Sequence, residues 1–166
     1  MSKPRRSIFI SYQHKDQMKA KGFHLLRWAK NVDLDFVGRH LLDPVKSKDE
    51  QYIKSEIRKQ IKGTSVTIVL IGKHTKESEY QPYEIEQSLA KETPNGILGI
   101  KLDKSVILPK DCPVGKLLHD AGAEIIDWNP SKFGEAIERA ALSAGRASKI
   151  KHTPPGIPGG GKKCIR

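Results

Sequence analysis

The hydrophobic pattern of this 166-residue chain alternates between two periods along its length. Short apolar runs rich in β-branched residues, each followed by polar, glycine or proline residues, are typical of strands. These runs predict five strands, at residues 7–12, 34–37, 65–71, 96–102 and 124–128. The run at 65–71 is apolar almost throughout, as is typical of a central parallel strand covered on both faces.

Between the predicted strands, apolar residues recur three or four positions apart, which places them on one face of a helix. The stripes are Met18, Gly22, Leu25, Leu26 and Ala29; Ile53, Ile57 and Ile61; Ile85 and Leu89; and Phe133, Ala136, Ile137, Ala140, Ala141 and Ala144. A shorter helix is expected around residues 116–121. The helix after the third strand is expected to begin near Pro82, because proline is favoured in a first turn.

Strands that alternate with helices indicate βαβ units and a mostly parallel sheet with helices on both faces. For a chain of this size they predict an α/β, flavodoxin-like, doubly wound domain. It has a five-stranded parallel sheet of order 2-1-3-4-5 in a three-layer αβα arrangement. Ligands of such sheets bind beyond the carboxyl ends of the strands, at the switch between strands 1 and 3. Candidate chemistry is therefore expected at residues 11–16, 38–48 and 72–83.

The net charge of +11 is concentrated at the two ends of the chain. Residues 143–166 hold six basic residues and no acidic one, which leaves +5 for the preceding 142 residues. We therefore predict a basic N-terminal extension at 1–6, a folded domain at 7–145 and a flexible, basic, Gly/Pro-rich tail at 146–166. Because the folded part is only mildly basic and lacks interleaved aromatic and basic residues, a nucleic acid is the least favoured partner.

Several function classes lack the residues they need. No apolar run has the length of a membrane span or the form of a signal peptide, so we predict a cytoplasmic protein without membrane contact. Neither a dinucleotide-binding Gly-x-Gly-x-x-Gly nor a phosphate-binding P-loop is present. The two cysteines and the spacing of the histidines favour no metal site, and no bound cofactor is predicted.

Four segments stand in an order that carries further information. They are Ile8-Phe-Ile-Ser-Tyr-Gln-His-Lys-Asp16, Ser65-Val-Thr-Ile-Val-Leu-Ile-Gly72, Ser78-Glu-Tyr-Gln-Pro-Tyr-Glu-Ile-Glu86 and Gly96-Ile-Leu-Gly-Ile-Lys-Leu102. Together they resemble the TIR-like domains, in particular the branch found in Thoeris-type antiphage defence systems. The resemblance covers roughly residues 7–128, and the third segment is its most specific part.

The resemblance implies a flavodoxin-like enzyme that takes NAD+ as its substrate and cleaves the nicotinamide–ribose bond. In the defence branch it also implies release of a cyclic ADP-ribose-type messenger that activates an effector partner. The family further implies self-association into a homo-oligomer. The alternative is a non-enzymatic interaction or scaffold module with the same fold, which replacement of Glu84 by Gln would leave unaffected.

The catalytic glutamate of the family falls on Glu84. Nicotinamide leaves a cationic pyridinium as a neutral ring, so the departure needs no general acid. The transition state resembles the oxocarbenium ion of glycoside hydrolysis, which a carboxylate stabilises. We expect the helix amides near Glu84 to keep it ionised at neutral pH. A glutamate in a first helical turn is also favourable without any function, as Glu86 illustrates.

For the residues around Glu84, the same resemblance implies substrate-binding roles, each with a structural alternative. Tyr12 and Tyr83 are expected to stack on nicotinamide or adenine, or to be half-buried aromatic residues. Ser11 and His14 are candidates for the ribose or the phosphates, and Phe9 for the pocket wall or the core. Arg39, in a long loop with Lys46 and Lys48, is expected to neutralise the pyrophosphate or to lie in solvent.

Overall fold

The computed structural model of the protein describes residues 6–26, 36–39 and 49–145. The predicted tail at 146–166 and the first five residues of the predicted extension lie outside this part of the chain. Arg6, which the charge pattern assigns to the extension, is the first residue of a strand and is buried, with its guanidinium bonded to both carboxylate oxygens of Glu138.

A single parallel sheet forms the middle layer. Its strands are β1 (Arg6–Ser11), β2 (Phe36–Arg39), β3 (Val66–Ile71), β4 (Gly96–Lys101) and β5 (Glu124–Ile126). The strand order is β2-β1-β3-β4-β5, and each neighbouring pair is parallel. The chain places β2 on one side of β1 and the later strands on the other side. The switch point of the sheet therefore lies between β1 and β3, as the sequence predicts.

Helices cover both faces of this sheet. They are α1 (Gln17–Leu25), α2 (Glu50–Ile61), α3 (Gln81–Ala90), α4 (Pro113–Asp120) and α5 (Pro130–Ser143). Proline stands in the first turn of three of them, where its missing N–H costs no helical hydrogen bond. Asp49 begins α2 by accepting a hydrogen bond from the Gln51 amide at 3.0 Å. The predicted α/β fold of flavodoxin-like type is confirmed.

The first face of the sheet is covered by α1 and α5. Phe23 of α1, Phe133 of α5 and Trp128 pack with ring centroids 5.2–6.0 Å apart. The helical stripe predicted for α1 is wrong at Met18 and Leu25, which are mostly exposed, whereas Leu26 packs against the core. Ala29, the last residue of the stripe, lies outside the described residues. Among the residues of α1 whose burial the structure describes, Ala20 and Phe23 are buried against the sheet. The single large ring of Phe23 fills the space under this short helix.

The second face carries α2, α3 and α4 in two adjoining cores. Ile85 of α3 packs with Val69 and Ile71 of β3, and Val114 and Leu118 of α4 complete that core. The other core, under α2, consists of Phe9, Ile57 and Ile61. Among the described residues, no helix is both long enough and apolar enough to cross a bilayer. The carboxyl ends of β1 and β3 are left facing the start of α3, where the candidate chemistry lies.

Candidate active site

The fold brings the end of β1 and the end of β3 side by side. Ser11, the last residue of β1, is in register with Val69 of β3. The chain then leaves β3 through a 3₁₀ turn at Thr75–Glu77 and enters α3 at Gln81. The Thr75 hydroxyl holds this connection by accepting from the Gly72 amide at 2.8 Å and by donating to the Leu70 carbonyl at 3.3 Å. The first turn of α3 therefore lies against the carboxyl edge of the sheet.

A buried polar network fixes the other end of α3. We use this name for Thr64, Thr67, Ser88, Lys91 and Asn95. The Ser88 hydroxyl donates to the Glu84 carbonyl at 2.8 Å and lies 2.6 Å from the Thr67 hydroxyl of β3. Asn95 Nδ2 donates to both threonine hydroxyls, at 2.8 and 3.0 Å. Its Oδ1 accepts from the Lys91 ammonium at 2.7 Å. The backbone that carries Glu84 is thus tied to the central strand.

The carboxyl group of Glu84 is buried in the first turn of α3. Only 6% of the residue is exposed, and Oε2 has no hydrogen-bond partner among the described residues. Burial raises the pKa of Glu84 to about 8, and the nearby Ser11 hydroxyl offsets only part of this rise. The expectation that helix amides keep this group ionised at neutral pH is therefore wrong for the unliganded protein. Loss of hydration outweighs the opposing effect of the Ser11 hydroxyl.

Gln81 is a buried polar residue that the sequence analysis did not single out. It is 1% exposed, and its Nε2 donates to the backbone carbonyls of Ser11, at 3.3 Å, and Leu70, at 3.2 Å. Its Oε1 has no partner among the described residues. The available signal was the spacing to Glu84, because residues three apart lie on the same face of a helix.

Ser11 lies where the sequence predicts, at the carboxyl edge and beside Glu84. The residue is fully buried, and its hydroxyl has no formed hydrogen bond among the described residues. We call Ser11, Gln81 and Glu84 the acceptor cluster, because each has a buried oxygen able to accept a further hydrogen bond. Buried polar atoms without a partner are rare in folded proteins, and their concentration at a ligand-binding edge is typical of a site.

Asp16, which ends the 3₁₀ turn after β1, is a second residue that the predicted site omits. Its Oδ2 is buried without a partner among the described residues. Burial raises the pKa of Asp16, while His74 and Lys19 act in the opposite direction. A Cβ atom on Gly72 would lie 2.4 Å from Asp16 Oδ2. The carboxyl group of Asp16 therefore occupies the space that the missing side chain of Gly72 leaves at the end of β3.

Phe9 and Tyr83, both predicted to bind the substrate, take part in the packing under α2. Phe9 is completely buried beside Ile57 and Ile61, and Tyr83 packs against this core. The Tyr83 hydroxyl accepts from Arg58 Nη1 at 2.6 Å. The Lys54 ammonium lies 5.2 Å from the centroid of the Tyr83 ring, a cation–π distance. In this structure Phe9 is a core residue, and Tyr83 already has two cationic partners.

Tyr12 and His14 do not join the acceptor cluster. Tyr12 packs on the face of the sheet covered by α1 and α5, whereas α3 lies on the opposite face. His14 is exposed at the start of its 3₁₀ turn. Arg39 is the last residue of β2, in register with Phe9, and its side chain is outside the described part of the structure. Lys46 and Lys48 also lie outside it.

The chemistry of this edge is that of hydrogen-bond acceptors. In the part of the chain that the structure describes, one side-chain oxygen of each of Gln81, Glu84 and Asp16 lacks a donor, while the Ser11 hydroxyl can both donate and accept. Within the described residues, no three His, Cys, Asp or Glu side chains are grouped so as to hold a metal ion. The arrangement therefore favours a ligand that brings several hydroxyl or N–H donors, or a positive charge that stabilises the Glu84 carboxylate.

Comparison with known proteins gives one family match. The family model described as "Thoeris protein ThsB, TIR-like domain" matches residues 9–106, which is about three fifths of the chain. The matched region runs from β1 through β4 and includes every residue of the acceptor cluster. Among curated proteins, none matches the chain. The resemblance found in the sequence segments is confirmed by the family match.

Proposed function

The chain belongs to the Thoeris ThsB family of TIR-like domains, and on that premise we propose that it cleaves NAD+ at the nicotinamide–ribose bond. Membership of this family indicates a role in antiphage defence. The observation that carries the proposal is the buried carboxyl group of Glu84 at the carboxyl edge of β1 and β3, whose Oε2 has no hydrogen-bond partner among the described residues. A group of this kind is suited to a substrate that is itself cationic.

The raised pKa of Glu84 fits the charge of the proposed substrate. In the unliganded protein, burial favours the protonated acid, with a pKa of about 8. A bound pyridinium ring places a positive charge next to the carboxyl group, which lowers its pKa and favours the carboxylate. Little water surrounds that carboxylate, so its attraction for the developing oxocarbenium ion is stronger than at an exposed site.

Ser11 is placed to support the ionised form. Its hydroxyl is buried beside Glu84 and has no other hydrogen bond in the described structure. When Glu84 loses its proton, the hydroxyl can turn to donate to the carboxylate, and a hydrogen bond to a charged oxygen is stronger than one between neutral groups. We assign Ser11 the role of holding the carboxylate of Glu84 rather than that of a nucleophile.

The remaining parts of the proposal follow the family. The cleaved ribose carbon is attacked by an atom of the same molecule before water reaches it, which gives a cyclic ADP-ribose-type messenger. The messenger activates an effector partner, and the protein acts in the cytoplasm as a homo-oligomer. Ring closure requires the site to exclude water during the reaction, and the buried position of Glu84 supports such exclusion.

The test is the product formed from NAD+ by the wild-type protein and by Glu84→Gln. Both are incubated with NAD+, with and without lysate from phage-infected cells, and the products are separated by chromatography and identified by mass spectrometry. We expect the wild type to release nicotinamide and a cyclic nucleotide. Loss of the carboxylate should lower the turnover by roughly 10²–10³-fold, the effect of removing one preorganised electrostatic group.

Glu86→Gln is the matched control, since Glu86 lies on the same helix but is exposed. It should retain the turnover of the wild type. Nicotinamide release by Glu84→Gln at the rate of the wild type would contradict the proposal. So would a wild-type protein that consumes no NAD+ in infected lysate while still conferring defence, which would favour a scaffold module.

A further inference from the structure

Gln81 holds an acceptor oxygen in a fixed direction beside Glu84. Its Nε2 faces two strand carbonyls, of Ser11 and Leu70, at 3.3 and 3.2 Å. The opposite amide orientation would point Oε1 at both carbonyl oxygens, so these contacts determine which way the amide lies. Its Oε1 is buried without a partner among the described residues, and the whole residue is 1% exposed.

The backbone of Gln81 is held as firmly as its side chain. As the first residue of α3, it donates its amide N–H to the Ser78 hydroxyl at 3.2 Å. The chain therefore loses little further freedom when Oε1 receives a donor, which is the condition for an efficient binding group. If Gln81 served only to join the ends of β1 and β3, its Nε2 would be sufficient and its Oε1 would have no role.

We propose that Gln81 is a substrate-binding residue whose Oε1 accepts a hydrogen bond from a hydroxyl of the ribose next to the cleaved bond. Gln81 and Glu84 are three residues apart, so their side chains extend over the same surface of α3. A vicinal diol offers two neighbouring donors, and the two side chains offer two neighbouring acceptors. This inference rests on the proposed function and adds a second binding group to the same site.

The test compares ADP-ribose, which carries the terminal ribose, with ADP, which lacks it. Affinities for these two compounds and for NAD+ are measured by calorimetry for the wild type, Gln81→Met and Gln87→Met. Gln81→Met keeps the length of the side chain and removes the acceptor. It should weaken ADP-ribose binding by about five- to tenfold, the usual value of one hydrogen bond, and change ADP binding by less than about twofold. Gln87→Met makes the same change on the half-buried side of α3 and should behave as the wild type.

A measurement on the wild-type protein keeps the test independent of how Gln81→Met folds. The side-chain amide ¹⁵N resonance of Gln81 should move when ADP-ribose is added and stay in place with ADP. An unchanged resonance with bound ADP-ribose would overturn the inference. So would an equal loss of ADP and ADP-ribose affinity in Gln81→Met, which would identify Gln81 as a structural clamp only.

The outcomes also separate this inference from the proposed function. A wild-type protein that binds ADP-ribose and NAD+, with Gln81→Met binding both as tightly, contradicts the role of Gln81 alone. A loss confined to NAD+ shows that the donor is the nicotinamide carboxamide, and this contradicts the assignment to ribose. A wild-type protein that binds neither compound contradicts both the inference and the proposed function.

Discussion

The two ends of helix α3 differ in how the buried polar side chains there are hydrogen-bonded. At its carboxyl end, Ser88 and Asn95 belong to the buried polar network, in which their side chains form hydrogen bonds of 2.6–3.0 Å. At its amino end, the acceptor cluster leaves three buried oxygens without a partner in the described structure. The same ten-residue helix thus has hydrogen-bonded polar side chains at one end and, at the other, buried oxygens without a partner in the described structure.

This difference separates groups that stabilise the fold from groups that await a ligand. Five buried side-chain atoms lack a partner among the described residues, and four of them are at the carboxyl edge of the sheet. The fifth, Ser7 Oγ, lies near the start of β1. A buried polar atom without a partner costs about 1–3 kcal/mol, so a cluster of them is expected where binding recovers the loss.

The largest expected effect comes from removing the charge of Glu84. The folded protein keeps this proton up to about pH 8, whereas an unfolded chain releases it near 4.5. The stability of the wild type therefore falls as the pH rises between these values. Glu84→Gln abolishes this loss, and at pH 8 it should be more stable than the wild type by about 4 kcal/mol. Urea unfolding at pH 4, 6 and 8 measures the difference, which should nearly vanish at pH 4.

Glu86→Gln again provides the comparison, because an exposed carboxylate has little influence on folding. Its stability should stay within about 0.5 kcal/mol of the wild type at every pH. If Glu84→Gln showed the same small, pH-independent difference, the carboxyl group would be hydrated in solution. The contrast between the two ends of α3 would then be lost.

The opposite result is expected at the anchored end. Asn95→Leu keeps the approximate size of the side chain but removes a donor to two threonine hydroxyls and an acceptor for Lys91. We expect a loss of roughly 2–3 kcal/mol, because buried partners are left with unmade hydrogen bonds. Unfolding at pH 4 and pH 8 should show equal losses, since no titrating group is removed. A gain of stability at either pH would contradict the assignment of this network to folding.

Much of the fold was predictable from the sequence because parallel strands and amphipathic helices have strong periods. The apolar run of β3 identified the central strand, and the alanine-rich stripe of α5 identified a helix with one buried face. The prediction of the buried face of α1 was wrong at Met18 and Leu25, which are exposed. The sequence pattern favoured a buried face of aliphatic residues, whereas the structure buries the ring of Phe23. The pattern alone cannot distinguish the two, because the result depends on packing against the sheet.

The site was predictable in position but not in its electrostatics. The rule for doubly wound sheets located the edge, and the family resemblance pointed to Glu84. The raised pKa of Glu84 could not be predicted, because a sequence shows the helix position but not the loss of hydration. Gln81 was missed because an amide next to a proline gives no signal of its own. Its role depends on carbonyls of β1 and β3, which are distant in the chain.

The smallest expected change in stability comes from a substitution at Gly72, which should affect ligand binding more than the free energy of unfolding. A methyl group there collides with the carboxylate of Asp16, and a short side chain can rotate towards solvent. Gly72→Ala should therefore cost only about 1 kcal/mol, yet weaken ADP-ribose binding by displacing Asp16.

Gly22→Ala in α1 is the control, since no described atom outside its chain neighbours and the backbone of its own helix lies within 4 Å of the added carbon. It should stabilise the helix by up to about 1 kcal/mol and leave binding unchanged. By contrast, a Cβ on Gly96 would meet the backbone carbonyl of Ala140, which cannot rotate away. If Gly72→Ala destabilised the protein as much as Asn95→Leu and left ADP-ribose affinity intact, Asp16 would belong to the fold rather than to the site.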